Sequence, residues 1–166
     1  MHISEWPNLK TLKVSSCDKL QMSTLEYKVV LPNLEALELH GINTENISQL
    51  LDTSSGPRKL TRLILRNCEK LKYVFPFSMI KSFEQLQHLE ISTCKGLKEV
   101  VTKEDGEERI AKFDFPHVAF LKLNDLPELT TFCLGIPTLD WPWPKLKKLE
   151  VSDCDKLQML PSENKV

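Results

Sequence analysis

The chain has 166 residues, 41% apolar and 27% charged, with a formal net charge of −1 and a pI near 6.4. This length suits one domain with a sizeable core. The near-neutral balance excludes a basic nucleic-acid binder or a polybasic membrane module, and the ordinary apolar content excludes wholesale disorder, collagen and a fibrous coiled coil. No apolar run approaches the ~20 residues of a membrane span. The opening Met1-His2-Ile3-Ser4-Glu5-Trp6-Pro7 lacks the basic and apolar regions of a secretory signal.

Taken in chain order, the predicted elements repeat one phrase, L-x-x-L-x-L-x-x-C-x-x-L. Leu9, Leu12, Val14, Cys17 and Leu20 fill it first; Leu34, Leu37 and Leu39 keep its strand, with Ile42 at the Cys position. Leu60, Leu63, Leu65, Cys68 and Leu71 follow, then Leu86, Leu89, Ile91, Cys94 and Leu97. Val118, Leu121 and Leu123 continue with Leu126 replacing Cys and Leu129 closing, and Leu146, Leu149, Val151, Cys154 and Leu157 complete the series. First positions at 9, 34, 60, 86, 118 and 146 are 25, 26, 26, 32 and 28 residues apart. Such steps lie in the leucine-rich-repeat range of about 20–29 residues, with one insertion.

The alternation L-x-L sends two side chains to a core and the x residues to solvent. Stacked turns then form a parallel sheet, about 4.8 Å per strand, over one continuous apolar core. The expected fold is therefore α/β: an open horseshoe of about six repeats over 1–166, a single leucine-rich-repeat domain with short-helical or irregular convex segments. Thr44–Leu51 places Ile47, Leu50 and Leu51 on one helical face behind a cap at Thr44, and Ser78–Phe83 follows Pro76 for one or two turns. Trp6-Pro7, Leu31-Pro32, Phe115-Pro116 and Trp143-Pro144 each precede a strand. Proline sets an extended approach there, and the bulky residue before it is expected to plug the core. Trp143 is read as such a plug, leaving Trp141 the exposed member of its pair. Residues 102–112 carry the insertion as a solvated charged loop.

The five cysteines include no C-x-x-C pair, so no zinc site is indicated. Cys68 and Cys94 fall in adjacent turns, within disulfide reach by strand spacing. Their apolar slot and the lack of a signal predict reduced, buried thiols instead. Asn46-Ile47-Ser48 matches the glycosylation sequon, which matters only in a secreted chain.

Phe115-Pro116-His117-Val118-Ala119-Phe120-Leu121-Lys122-Leu123-Asn124-Asp125-Leu126-Pro127-Glu128-Leu129, with Cys94-Lys95-Gly96-Leu97-Lys98-Glu99-Val100 and Leu71-Lys72-Tyr73-Val74-Phe75-Pro76, carries a family likeness. Across essentially its whole length the sequence resembles the C-terminal repeats of plant nucleotide-binding leucine-rich-repeat resistance proteins of the coiled-coil class. The resemblance implies a repeat region that senses a pathogen effector or a modified host protein and holds a nucleotide-binding switch inactive. No G-x-x-x-x-G-K-[ST] phosphate loop occurs in the chain, so nucleotide binding is not carried over. Opening within a repeat and stopping soon after one, without polar caps, reads as a piece of a longer array.

Strand phase alone places Thr11, Lys13, Ser15, Ala36, Glu38, His40, Arg62, Ile64, Arg66, His88, Glu90, Ser92, Phe120, Lys122, Asn124, Lys148, Glu150 and Ser152 on the concave face. Of these Lys13, Glu38, His40, Arg62, Ile64, Arg66, His88, Glu90, Phe120, Lys122, Lys148 and Glu150 are the candidate protein-binding residues, with Ile64 and Phe120 expected to be exposed. Each alone reads most simply as a solvated strand residue; together they read as a surface. His40 and His88, two strands apart or roughly 10 Å, are too distant to share a metal without further ligands. Neither G-x-S-x-G nor H-E-x-x-H occurs, so catalysis is not expected. The expected function is a non-catalytic interaction module without cofactor, metal, nucleic acid or membrane span. By the resemblance, it is cytoplasmic and meets an effector or host protein and the nucleotide-binding domain of a longer parent. The alternative is the substrate-recognition solenoid of an F-box ubiquitin ligase, whose repeats share the Cys position and 26-residue period but continue differently.

Overall fold

The computed structural model describes residues 2–15, 27–49, 58–102, 115–133 and 142–158. Cys17, Leu20, the end of the Thr44–Leu51 segment, residues 103–112 of the charged insertion and Trp141 lie outside the described residues.

Each L-x-L phrase forms a five-residue strand: β2 (Thr11–Ser15), β4 (Ala36–His40), β5 (Arg62–Arg66), β7 (His88–Ser92), β9 (Phe120–Asn124) and β11 (Lys148–Ser152). They form one six-stranded parallel sheet in the order β11-β9-β7-β5-β4-β2. Register follows the repeat with no slip: Leu12, Leu37, Leu63, Leu89, Leu121 and Leu149 lie in one cross-strand row. Slippage by one residue would turn every such leucine to water, so the burial requirement pins the pairing.

Just before β2, β4, β5, β7 and β9, one carbonyl accepts two N–H groups from the next turn. Lys10 O takes Glu35 N and Ala36 N at 2.8 and 3.0 Å; Thr61 O takes Gln87 N and His88 N at 2.8 and 2.9 Å. Just after β4, β5, β7, β9 and β11, the chain bends through a residue of positive φ. Gly41, Asn67, Thr93, Asp125 and Asp153 have φ between 53° and 66°. Asn and Asp tolerate this left-handed conformation, and Gly41 has no Cβ to oppose it, whereas Thr93 is β-branched and strained there. The bend turns the following residue inward, as the repeat predicts. Cys68 and Cys94 are buried there, and Cys154 partly so. Each thiol approaches a carbonyl of the preceding turn: Cys68 Sγ lies 3.8 Å from Leu39 O, Cys94 Sγ 4.0 Å from Leu65 O and Cys154 Sγ 3.6 Å from Leu123 O.

Behind the main sheet runs a second parallel ladder, β6 (Phe75–Pro76), β8 (Glu99–Thr102) and β10 (Thr131–Cys133), in the order β10-β8-β6. A further pair, β1 (His2–Glu5) with β3 (Tyr27–Val30), precedes β2 and β4. The two helical expectations appear as 3-10 helices, Ile47–Gln49 and Phe77–Phe83. Asn46 rather than Thr44 organises the first: its Oδ1 accepts Ser48 N at 2.8 Å and its Nδ2 donates to the Tyr73 hydroxyl at 3.0 Å. Asn46 is buried in doing so, which withdraws the sequon from a glycosyl-transferring enzyme in the folded chain.

The core lies between the two ladders. Leu31, Phe115 and Trp143 plug it before their prolines, as expected, but Trp6 is 47% exposed. Aromatic contact links successive turns: Phe83 to Phe75 at 4.8 Å, Phe75 to Phe115 at 5.3 Å and Phe115 to Trp143 at 4.9 Å between ring centroids. At the sheet's outer strand β11, Leu149 and Val151 are exposed, having a neighbouring strand on one side only.

Candidate interaction surface

Because the register does not slip, the outward side chains of the main sheet form three straight rows. The first holds Thr11, Ala36, Arg62, His88, Phe120 and Lys148; the second Lys13, Glu38, Ile64, Glu90, Lys122 and Glu150; the third Ser15, His40, Arg66, Ser92, Asn124 and Ser152. All twelve residues singled out from the sequence therefore lie on one face.

Their accessibility is less uniform than their phase. Ile64 is 1% exposed, against the expectation that it would stand open. It sits in register between Glu38 and Glu90, among the long side chains of neighbouring strands. Both glutamates are ion-paired and little exposed themselves, so the face is closed on either side of Ile64. Phe120 is half-buried, its ring stacked on His88 with centroids 4.4 Å apart and with Lys148 Nζ 5.4 Å above it. The register also corrects the spacing of His40 and His88. They occupy different rows, so about 13 Å along the strands adds to about 10 Å across them.

Two charge clusters organise the face. Glu38 Oε2 lies 3.2 Å from Lys13 Nζ and 3.0 Å from His40 Nε2. Burial raises its carboxyl pKa, but Lys13, His40 and Arg66 outweigh that and hold it below the ordinary carboxylate value. Glu90, buried deeper, is gripped by Arg66 through both Nε (3.0 Å) and Nη2, with His88 Nε2 at 3.6 Å. Burial again raises its pKa, and Arg66, Lys122 and His88 together bring it below the ordinary value. His88 titrates lower than usual, first because it is buried and then because Arg62 repels its proton. A third pair joins Lys148 to Glu150 at 3.2 Å.

The strand pairing of these charges was legible only as proximity of repeats; the stacked His88–Phe120 pair follows once the repeats are aligned in register. Among the described residues, no group of three His, Cys, Asp or Glu side chains is placed to hold a metal ion, and no helix is long and apolar enough to cross a membrane.

Residues 42–163 match the family described as plant disease resistance protein RPS2-like, leucine-rich repeats. Similar curated proteins come from Arabidopsis thaliana. Probable disease resistance protein At4g27220 is 31% identical over 78% of this chain and 14% of its own length. Disease resistance protein At4g27190 is 31% identical over 80% of the chain and 13% of itself, and putative disease resistance protein At3g14460 is 28% identical over 98% and 12%. The chain thus spans about one seventh of the length of the first of these relatives. No solved structure matches it.

Proposed function

The chain belongs to the RPS2-like leucine-rich repeats of plant disease resistance proteins, and on that premise we propose that it is the ligand-contacting repeat region of a plant immune receptor. Its work is protein–protein contact in the cytoplasm, without catalysis. The partners are a pathogen effector or a host protein, and within a longer parent chain the nucleotide-binding domain, which the repeats restrain until a ligand arrives.

One observation carries this reading: twelve charged, aromatic and apolar candidate side chains stand in register on one face of a rigid sheet. A parallel ladder fixes their backbone, so little conformational entropy is lost when a partner docks. Solenoids expose this kind of extended surface to proteins.

The test is co-precipitation of the parent receptor's nucleotide-binding domain, and of a cognate effector, with the wild-type chain and with Arg62→Glu/Lys122→Glu. Neither position is part of the Arg66–Glu90 pair, and circular dichroism checks that the double variant is folded. Loss of capture supports the face as the contact; undiminished capture by a folded double variant removes it.

A further inference from the structure

The concave face differs in charge from the chain that carries it. Its three rows hold five Lys or Arg residues against three Glu, whereas the whole sequence has a formal net charge of −1. Every one of those glutamates has an ion-pair partner on the face: Glu38 with Lys13, Glu90 with Arg66 and Glu150 with Lys148. Arg62 and Lys122 are left without an ion pair among the described residues. Their positions are not scattered. Arg62 shares a row with His88, Phe120 and Lys148, and Lys122 stands two residues beyond Phe120 on β9.

We propose that this strip, Arg62 and Lys122 around the stacked rings of His88 and Phe120, takes an acidic segment of a partner protein that carries an aromatic side chain. The inference rests on the concave-face reading above and names the chemistry of its partner. The four-residue row from Arg62 to Lys148 spans about 14 Å, three strand spacings, which suits a short segment rather than a single ion. A carboxylate meets the Arg62 guanidinium in its two-pronged geometry, and a second meets Lys122 as a point charge. A partner's ring lies against Phe120, already held flat by His88 at 4.4 Å and flanked by the Lys148 ammonium at 5.4 Å. His88 stays neutral at pH 7 because burial and Arg62 both disfavour its proton, so it supplies a ring rather than another charge. A basic segment would meet two cations that make no ion pair among the described residues, and the acidic side chains that would attract it are already occupied.

Panning a random peptide-display library against the full chain tests this. Enrichment of Asp- and Glu-rich sequences containing Phe, Tyr or Trp is expected. A synthetic peptide of the enriched sequence should bind about tenfold more weakly to Phe120→Ala and about threefold more weakly to Arg62→Gln or Lys122→Gln. Lys156→Gln, away from the sheet face, should leave binding unchanged, and raising salt should weaken it. Basic or neutral enriched sequences that still depend on Phe120 overturn the acidic partner while leaving the concave-face reading in place. Enriched sequences indifferent to Phe120, Arg62 and Lys122 overturn both. A library with no sequence enriched above a bare-surface control overturns the acidic-segment proposal alone.

Discussion

Gly96 lies directly against the carbonyl oxygen of Glu69 in the preceding turn; a Cβ on Gly96 would stand 2.8 Å from that oxygen. The contact sits at the turn after Cys94, between consecutive repeats. Because the obstacle is backbone, no side chain can swing aside. Gly96→Ala should cost about 1–3 kcal/mol, read as a lowered urea midpoint at unchanged slope. A variant as stable as wild type would show that the turns can separate there.

Thr93 offers the opposite experiment. Its φ of 54° places a β-branched residue where the equivalent turns have Gly41, Asn67, Asp125 and Asp153. Thr93→Asn keeps the bend and removes the branch at Cβ that the left-handed conformation disfavours, so a gain of about 0.5–1 kcal/mol is expected in thermal unfolding. An unchanged or lowered midpoint would contradict the strain.

The thiols should report on burial in order. Cys68 and Cys94 are buried and Cys154 only partly. Cys94 is pushed above the usual thiol range by its hydrogen bond to Cys68 and by burial, and Cys154 is raised by burial and then by nearby aspartates. Timed alkylation at neutral pH with peptide mapping should therefore modify Cys154 slowly, and Cys94 only after denaturant is added. Rapid native modification of Cys94 would refute the burial.

Acid should weaken the fold through the Arg66–Glu90–His88 cluster. His88 titrates below its unfolded value of 6.5 and Glu90 below 4.5, so in both cases the unfolded chain binds more protons than the folded one. Stability therefore rises with pH, and it is lost as pH falls first through the His88 range and then through the carboxylate range. His88→Gln should flatten the upper part of that loss, and Glu90→Gln the lower part. Melting temperatures from pH 7 to about 3.5 would show it; identical profiles in both variants would exclude the cluster as the cause.

Much of this arrangement was readable from the period alone. Leu63 and Leu65 alternate with Arg62, Ile64 and Arg66, and that alternation fixes strand, face and register together once a neighbouring copy supplies the partner. Ile64 shows the boundary of such reading. Phase tells which way a side chain points, but its 1% exposure depends on longer neighbours that the phase does not describe. The rear ladder has no such signature, because Phe75–Pro76 and Thr131–Cys133 are too short to display a period. The one or two turns expected over Ser78–Phe83 appear as a tighter 3-10 helix, Phe77–Phe83, within the length that separates the two forms only weakly. The left-handed bend at Asn67, Asp125 and Asp153 had a signal in residue type; Thr93 had none.

Zero slip between turns also makes the outer face a lattice with two unequal repeats. Outward positions recur about 4.8 Å apart across the strands and about 6.8 Å apart along them. A partner in extended conformation, whose same-side residues also recur near 6.8 Å, is commensurate only when it lies along a strand, and it then meets two or three positions of one turn. A partner helix, rising about 5.4 Å per turn, nearly matches the shorter repeat and can follow a single row, Arg62 through His88 and Phe120 to Lys148, across four strands. The conformation of a ligand thus decides whether it samples one repeat or many.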